Sequence, residues 1–188
     1  MRTPTESLGG PRLTDAAELI FDGCGLLDAW RGGVFDLFPT AVARALIALP
    51  VWDGHPCAAI PEGDRQGLIA AGAKVVDLPG DSFLKACALR RRFPTLSPQE
   101  CFSFLLLRNN AVLVLGDPLT RQAAAAESLP HCGVEWLVER MLARSRTDLA
   151  IVAACRDRCA RLDALAGLHD VLKRHLGGRR QREKSGEA

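Results

Sequence analysis

The chain has 188 residues, 48% of them hydrophobic and 24% charged, with a formal net charge of +2. That length suits one compact domain with an extension, and it is short for two. A charge so near balance gives no global attraction to nucleic acid or membrane, so any such binding must come from a local patch. No apolar stretch approaches bilayer length, and the opening "MRTPTESLGGPRLTD" lacks the apolar core of a secretory signal, so the expected location is cytoplasmic with no membrane association. The seven cysteines are odd in number and sit in apolar contexts, which predicts reduced, buried thiols.

Residues 1–14 mix Pro, Gly, Thr and Ser without periodicity and read as a flexible arm. "AELIF" then reads as a buried strand, "GLLDAWRG" as a short helix, "VFDLFP" as a second strand and "TAVARALIAL" as a helix of high Ala/Leu propensity. After a segment punctuated by Pro56, Pro61 and Gly63, "DRQGLIAAG" is predicted helical and "AKVVDLP" a strand ending at Pro79-Gly80. "DSFLKACALRRRF" and "LSPQECFSFLLLRNN" are predicted helices, the second opened by Ser97 and Glu100 at capping-box spacing with Pro98 in the first turn. "AVLVLGD" is the clearest strand; "PLTRQAAAAES" is helical, "HCGV" a short edge strand and "EWLVERMLARS" a further helix. Strands alternating with helices predict an α/β fold with a central parallel sheet covered on both faces. From 146 to 176, Leu149, Val152, Cys155, Cys159, Leu162, Leu165, Leu172 and Leu176 recur at helical steps and predict a C-terminal helical extension, packed on the domain or on a second copy. Residues 177–188 read as a disordered basic tail.

Two acids fall at the carboxyl ends of strands, where open α/β sheets gather ligands: Asp22 ends "LIFD" and Asp117 ends "AVLVLGD". Glu100 lies in the first turn of the helix leading into the second of these strands. If the first and fourth strands are neighbours, the three carboxylates converge and offer hard oxygen ligands to Mg²⁺ or Mn²⁺. The plainer alternative is that each acid caps a helix, which Ser97 and Glu100 suit by themselves.

"LIFDGCGLLD", "LSPQECFSFLLLRNNAVLVLGDPLTRQAA" and "HCGVEWLVERML" together resemble the PIN-like nucleases, a family that includes the toxin ribonucleases of bacterial toxin-antitoxin pairs. The resemblance covers residues 19 to about 143 and implies a three-layer sandwich over 15–145. It further implies metal-dependent hydrolysis of RNA, with Asp22, Glu100 and Asp117 as the catalytic, metal-binding residues. An antitoxin or other protein partner and a homo-oligomer come with the same resemblance. Two positions depart from the family pattern. Cys24 stands where Ser or Thr is usual, and the helix "PTAVARALIAL" places Arg44 where the family carries a glutamate. A guanidinium there would pair with Asp22 and Asp117 in place of the metal, which leads to the second reading, a degenerate, non-catalytic module that binds RNA or protein. Asp28, Asp36 and Asp53 are the candidates for a compensating acid.

Two other chemistries weigh less. His55 with Cys57, His131 with Cys132, and Cys155 with Cys159 form pairs that zinc can use, but none has ribbon-type spacing. Arg90, Arg91 and Arg92, with Lys173, Arg174, Arg179, Arg180, Arg182 and Lys184, offer phosphate contacts, though Tyr is absent and aromatic stacking on bases is poorly supplied.

Overall fold

A computed structural model describes residues 18–144 and 147–185. Five strands, β1 (Glu18–Phe21), β2 (Ala45–Ala48), β3 (Lys74–Val76), β4 (Ala111–Val114) and β5 (His131–Cys132), form one sheet in the order β3-β2-β1-β4-β5, with every pairing parallel. β2 and β4 are buried throughout and β1 along all but its first residue, as expected of strands covered on both faces. The strand ending in Asp22 therefore lies beside the one ending before Asp117, with Phe21 level with Val114.

Between β1 and β2 come α1 (Gly23–Arg31), α2 (Val34–Leu37) and α3 (Pro39–Val42); between β2 and β3 come α4 (Leu49–Trp52), a 3-10 turn at Cys57–Ala59, and α5 (Glu62–Ala70). α6 (Asp81–Arg92) and α7 (Pro98–Leu105) precede β4, α8 (Pro118–Ala126) precedes β5, and α9 (Val134–Leu142) follows it. The first two crossovers step one way across the sheet and the next two step the other way. Right-handed connections then assign the two sets to opposite faces, giving a three-layer α/β arrangement.

The structure corrects the reading of residues 34–49. "VFDLFP" is not a strand: Gly33 takes a left-handed φ of 70° and starts α2, whose Phe35 sets its ring edge against Phe21 at 5.7 Å. "TAVARALIAL" is not one helix either, because "ALIA" within it is β2. Ala and Leu favour helix in isolation, but a run apolar on every side, flanked by β1 and β3, gains more by burial at the centre of a sheet.

Two further helices, α10 (Leu149–Cys159) and α11 (Ala166–Ser185), complete the described chain. Val152, Cys155, Cys159, Leu168, Leu172 and Leu176 are buried and join the single hydrophobic core. α10 packs on α2 and α11 on α9, so the extension covers the body of the domain as its spacing predicts. α11 runs on to Ser185, so the segment expected to be a disordered tail is helical over 177–185. The expected arm at 1–14 lies outside the described residues. Among the described residues no helix is long and apolar enough to cross a membrane.

Candidate functional site

The sheet changes direction at β1: the chain steps from β1 to β2 on one side, and later returns to β4 on the other. The carboxyl ends of β1 and β4 flank this switch point, the usual place for a ligand in an open α/β sheet. Three helices begin around it.

Asp22 is fully buried and caps α1. Its Oδ1 accepts from the backbone N–H of Gly25 at 2.5 Å and of Gly116 at 3.1 Å, so one oxygen ties α1 to the loop after β4. Gly116 permits this approach, because a Cβ there would lie 2.6 Å from Cys24 Cβ and from Gly25 N. Oδ2 is buried and has no hydrogen-bond partner among the described residues. Burial pushes the Asp22 carboxyl up to about 7. The two N–H donors pull it down and the charges of Glu100 and Asp28 push it further up, but desolvation dominates.

Glu100 and Asp117 sit at the starts of α7 and α8. The capping box predicted for α7 is present: Ser97 N donates to Glu100 Oε2 at 2.6 Å and Glu100 N to Ser97 Oγ at 3.2 Å. Asp117 caps α8 through Oδ2, which accepts from Thr120 N at 2.8 Å. The Thr120 hydroxyl, fully buried, lies 2.8 Å from Glu100 Oε1 and 3.2 Å from Asp117 Oδ2. Ser103, one turn beyond Glu100, donates to Phe21 O at 3.5 Å and ties α7 to the end of β1. Each predicted acid therefore takes part in a helix cap; Thr120 links the starts of α7 and α8, and Gly116 links Asp22 to the loop before α8.

Cys24 feels the charges of all these acids. The half-buried thiol is pushed up to about 12, first by burial and then by the charges of Asp22, Glu100, Asp28 and Asp117. Of the three compensating candidates, Asp28 is the one whose charge acts on Asp22 and Cys24; its own carboxyl, which feels Arg31, Glu135 and Arg121, is raised to about 6, chiefly by burial. Asp36 is exposed and pairs with Arg158 at 3.0 Å, and Asp53 with Arg65 at 3.6 Å.

Arg44 is not beside the acids. Its carbonyl accepts from Leu19 N at 3.0 Å, level with the start of β1, whereas Asp22 follows the end of that strand. At about 3.3 Å per residue this separates the two backbones by roughly 10 Å along the sheet. The Arg121 guanidinium donates to Leu115 O at 2.9 Å and Gly116 O at 3.1 Å and so steadies the loop before Asp117. Thr120 and Arg121 were not singled out as site residues from sequence. The available signal was local: a hydroxyl three residues after a capping acid, in the position where a helix N-terminus points its side chain back.

Among the described residues no three acid, histidine or cysteine side chains are gathered so as to hold a metal ion. That bears on the zinc pairs as well: all seven cysteines are free thiols, and Cys155 and Cys159 spend theirs on the carbonyls of Gly33 and Gly32. The crevice still offers hard oxygens at Asp22 Oδ2 and at Asp117 Oδ1, which stands outside the Thr120 network. The charges that act most on the Asp22 carboxyl are those of Glu100 and Asp28. No protein-family model matches the chain, and no curated protein matches it.

Proposed function

We propose that the chain is a PIN-like domain that hydrolyses RNA phosphodiesters with the help of one Mg²⁺ or Mn²⁺ in the acidic crevice. The observation that carries this reading is the unpartnered, buried oxygen of Asp22. As a cap for α1, a neutral Asn, Ser or Thr would serve as well. A carboxylate held there without a cation is destabilising, and a divalent ion at Oδ2 removes that penalty.

In this reading Asp22 and Asp117 hold the ion through Oδ2 and Oδ1. Glu100, restrained by Ser97 and Thr120, stands beside them to orient water. The positive ends of the α1 and α8 dipoles lie at Asp22 and Asp117 and would favour a phosphate beside them. When bound, the ion would offset the charge of the phosphodiester and make water at the site more acidic. An antitoxin or other protein partner and a homo-oligomer belong to the same reading through the toxin-type resemblance.

The degenerate, non-catalytic module is the second reading, and one observation favours it. Both Glu100 oxygens already have donors, and the acid nearest to α4, Asp53, is exposed and paired with Arg65. A labelled single-stranded RNA incubated with Mn²⁺ separates the two. The nuclease reading predicts cleavage that stops with chelator and in Asp117→Asn. An intact RNA retained by the wild type under all conditions would give the protein to the second reading.

A further inference from the structure

α6 is a peripheral helix. Of its 12 residues only Ser82 and Ala86 are buried, and it packs chiefly on α7. Phe83 and Leu84 are 62% and 71% exposed, the most exposed large apolar side chains among the described residues. At 3.6 residues per turn they head two neighbouring ridges, one of Phe83, Cys87 and Arg91 and one of Leu84, Ala88 and Arg92, on the side turned away from Ser82 and Ala86. Single apolar residues scattered over a surface are ordinary; two adjacent ones, continued by half-buried Cys87 and exposed Ala88, form a patch.

The charges along α6 are polarised, with Asp81 at its start and Arg90, Arg91 and Arg92 at its end. Lys85 meets Asp81 and Glu127 meets Arg92, whereas Arg90 and Arg91 have no ion pair among the described residues. A second α6 laid parallel to the first would set arginines against arginines. Laid antiparallel about a two-fold axis, each basic end meets the acidic start of the other helix, and the two helix dipoles oppose. Centred at the height of Ala86, that arrangement lays Phe83 and Leu84 of each copy on Cys87 and Ala88 of the other and brings Asp81 to Arg90 and Arg91. We infer that this face of α6 is where two copies of the chain pair, antiparallel about a two-fold axis. The inference rests on the homo-oligomer of the proposed function and on nothing in the crevice. A helix pair about 18 Å long buries less than a standard interface of about 1,200–2,000 Å², so the pairing is weak and depends on concentration.

Sedimentation velocity from about 5 μM to about 1 mM compares four proteins: wild type, Phe83→Ala with Leu84→Ala, Arg91→Glu, and Arg91→Glu with Asp81→Arg. Urea unfolding shows that each is folded. The wild type should dimerise as its concentration rises. Removing both exposed side chains should weaken association at least about tenfold, since each is lost twice across a two-fold axis. Arg91→Glu should weaken it at least about threefold, and adding Asp81→Arg should return it to within about twofold of wild type, because the exchanged charges meet again across the interface. A wild type that stays monomeric over the whole range would overturn the inference together with the homo-oligomer, leaving this face to a different partner and the chemistry of the crevice untouched. A dimer indifferent to Phe83→Ala with Leu84→Ala would overturn the inference alone. A dimer that Arg91→Glu leaves intact, or that the charge exchange fails to restore, would overturn it as well.

Discussion

Replacing Asp22 by Asn removes the charge that the fold is least equipped to hold. The carboxyl has an ordinary value of 3.8 and rises to about 7 in the folded protein. A group whose folded value is raised binds a proton more tightly when folded, so its contribution to stability is present in full below 3.8 and is lost as pH rises toward 7. Over that window the slope is about 1.4 kcal/mol per pH unit, and the total is about 4 kcal/mol. Asparagine does not titrate; its carbonyl can take over the two N–H bonds, while its amide is left without a partner at about 1–3 kcal/mol. Cation-free Asp22→Asn should therefore be more stable than wild type at pH 8 by about 1–3 kcal/mol, or several degrees in Tm for a chain of this size. The assay is urea unfolding in chelator from pH 4.5 to 8.5. Wild type should lose stability relative to Asp22→Asn from pH 4.5 to about 7 and lose no more above it, and the difference between the two isolates Asp22 from other titrating groups such as Asp28. Parallel pH profiles for the two proteins would refute the reasoning.

Ser97→Ala should lower unfolding stability by about 1 kcal/mol while Mn²⁺ affinity stays within about twofold, because Thr120 still restrains Glu100; calorimetry and urea unfolding measure the two effects separately. Arg44→Glu should leave Mn²⁺ affinity unchanged, since Arg44 stands at the amino end of the strands, opposite the end that carries Asp22; a clear gain in affinity would return it to the site. Leu172→Ala, at a position with 0% exposure, should cost about 2–5 kcal/mol in urea unfolding, and a loss near zero would show that α11 does not cover the core.

The parts of this fold legible in the sequence are those fixed by local chemistry. Ser97, Pro98 and Glu100 announce the start of α7 within four positions, and "AVLVL" followed by Gly-Asp announces a buried strand and the cap after it. Asp22 and Asp117 could be placed at strand ends for the same reason. "ALIA" was illegible because its composition is the same for a buried helix and a central strand, and only its neighbours decide between them. Reading it as helix moves Arg44 from the amino end of the strands into the site. The Thr120 contact with Glu100 spans 20 positions and two helices, so no local pattern carries it. The last turns of α11 were hidden by Gly177, Gly178 and a run of charge, which lower helix propensity without abolishing a helix whose earlier turns are docked on α9.

The central claim is that the buried Asp22 carboxylate exists to bind a divalent cation, and Mn²⁺ calorimetry in two buffers of different ionisation enthalpy tests it most directly. With the carboxyl at about 7, binding at pH 7 should release about half a proton, and at pH 8.5 close to none, with binding abolished in Asp22→Asn. Mn²⁺ binding that releases no proton at pH 7 and survives in Asp22→Asn would contradict the claim.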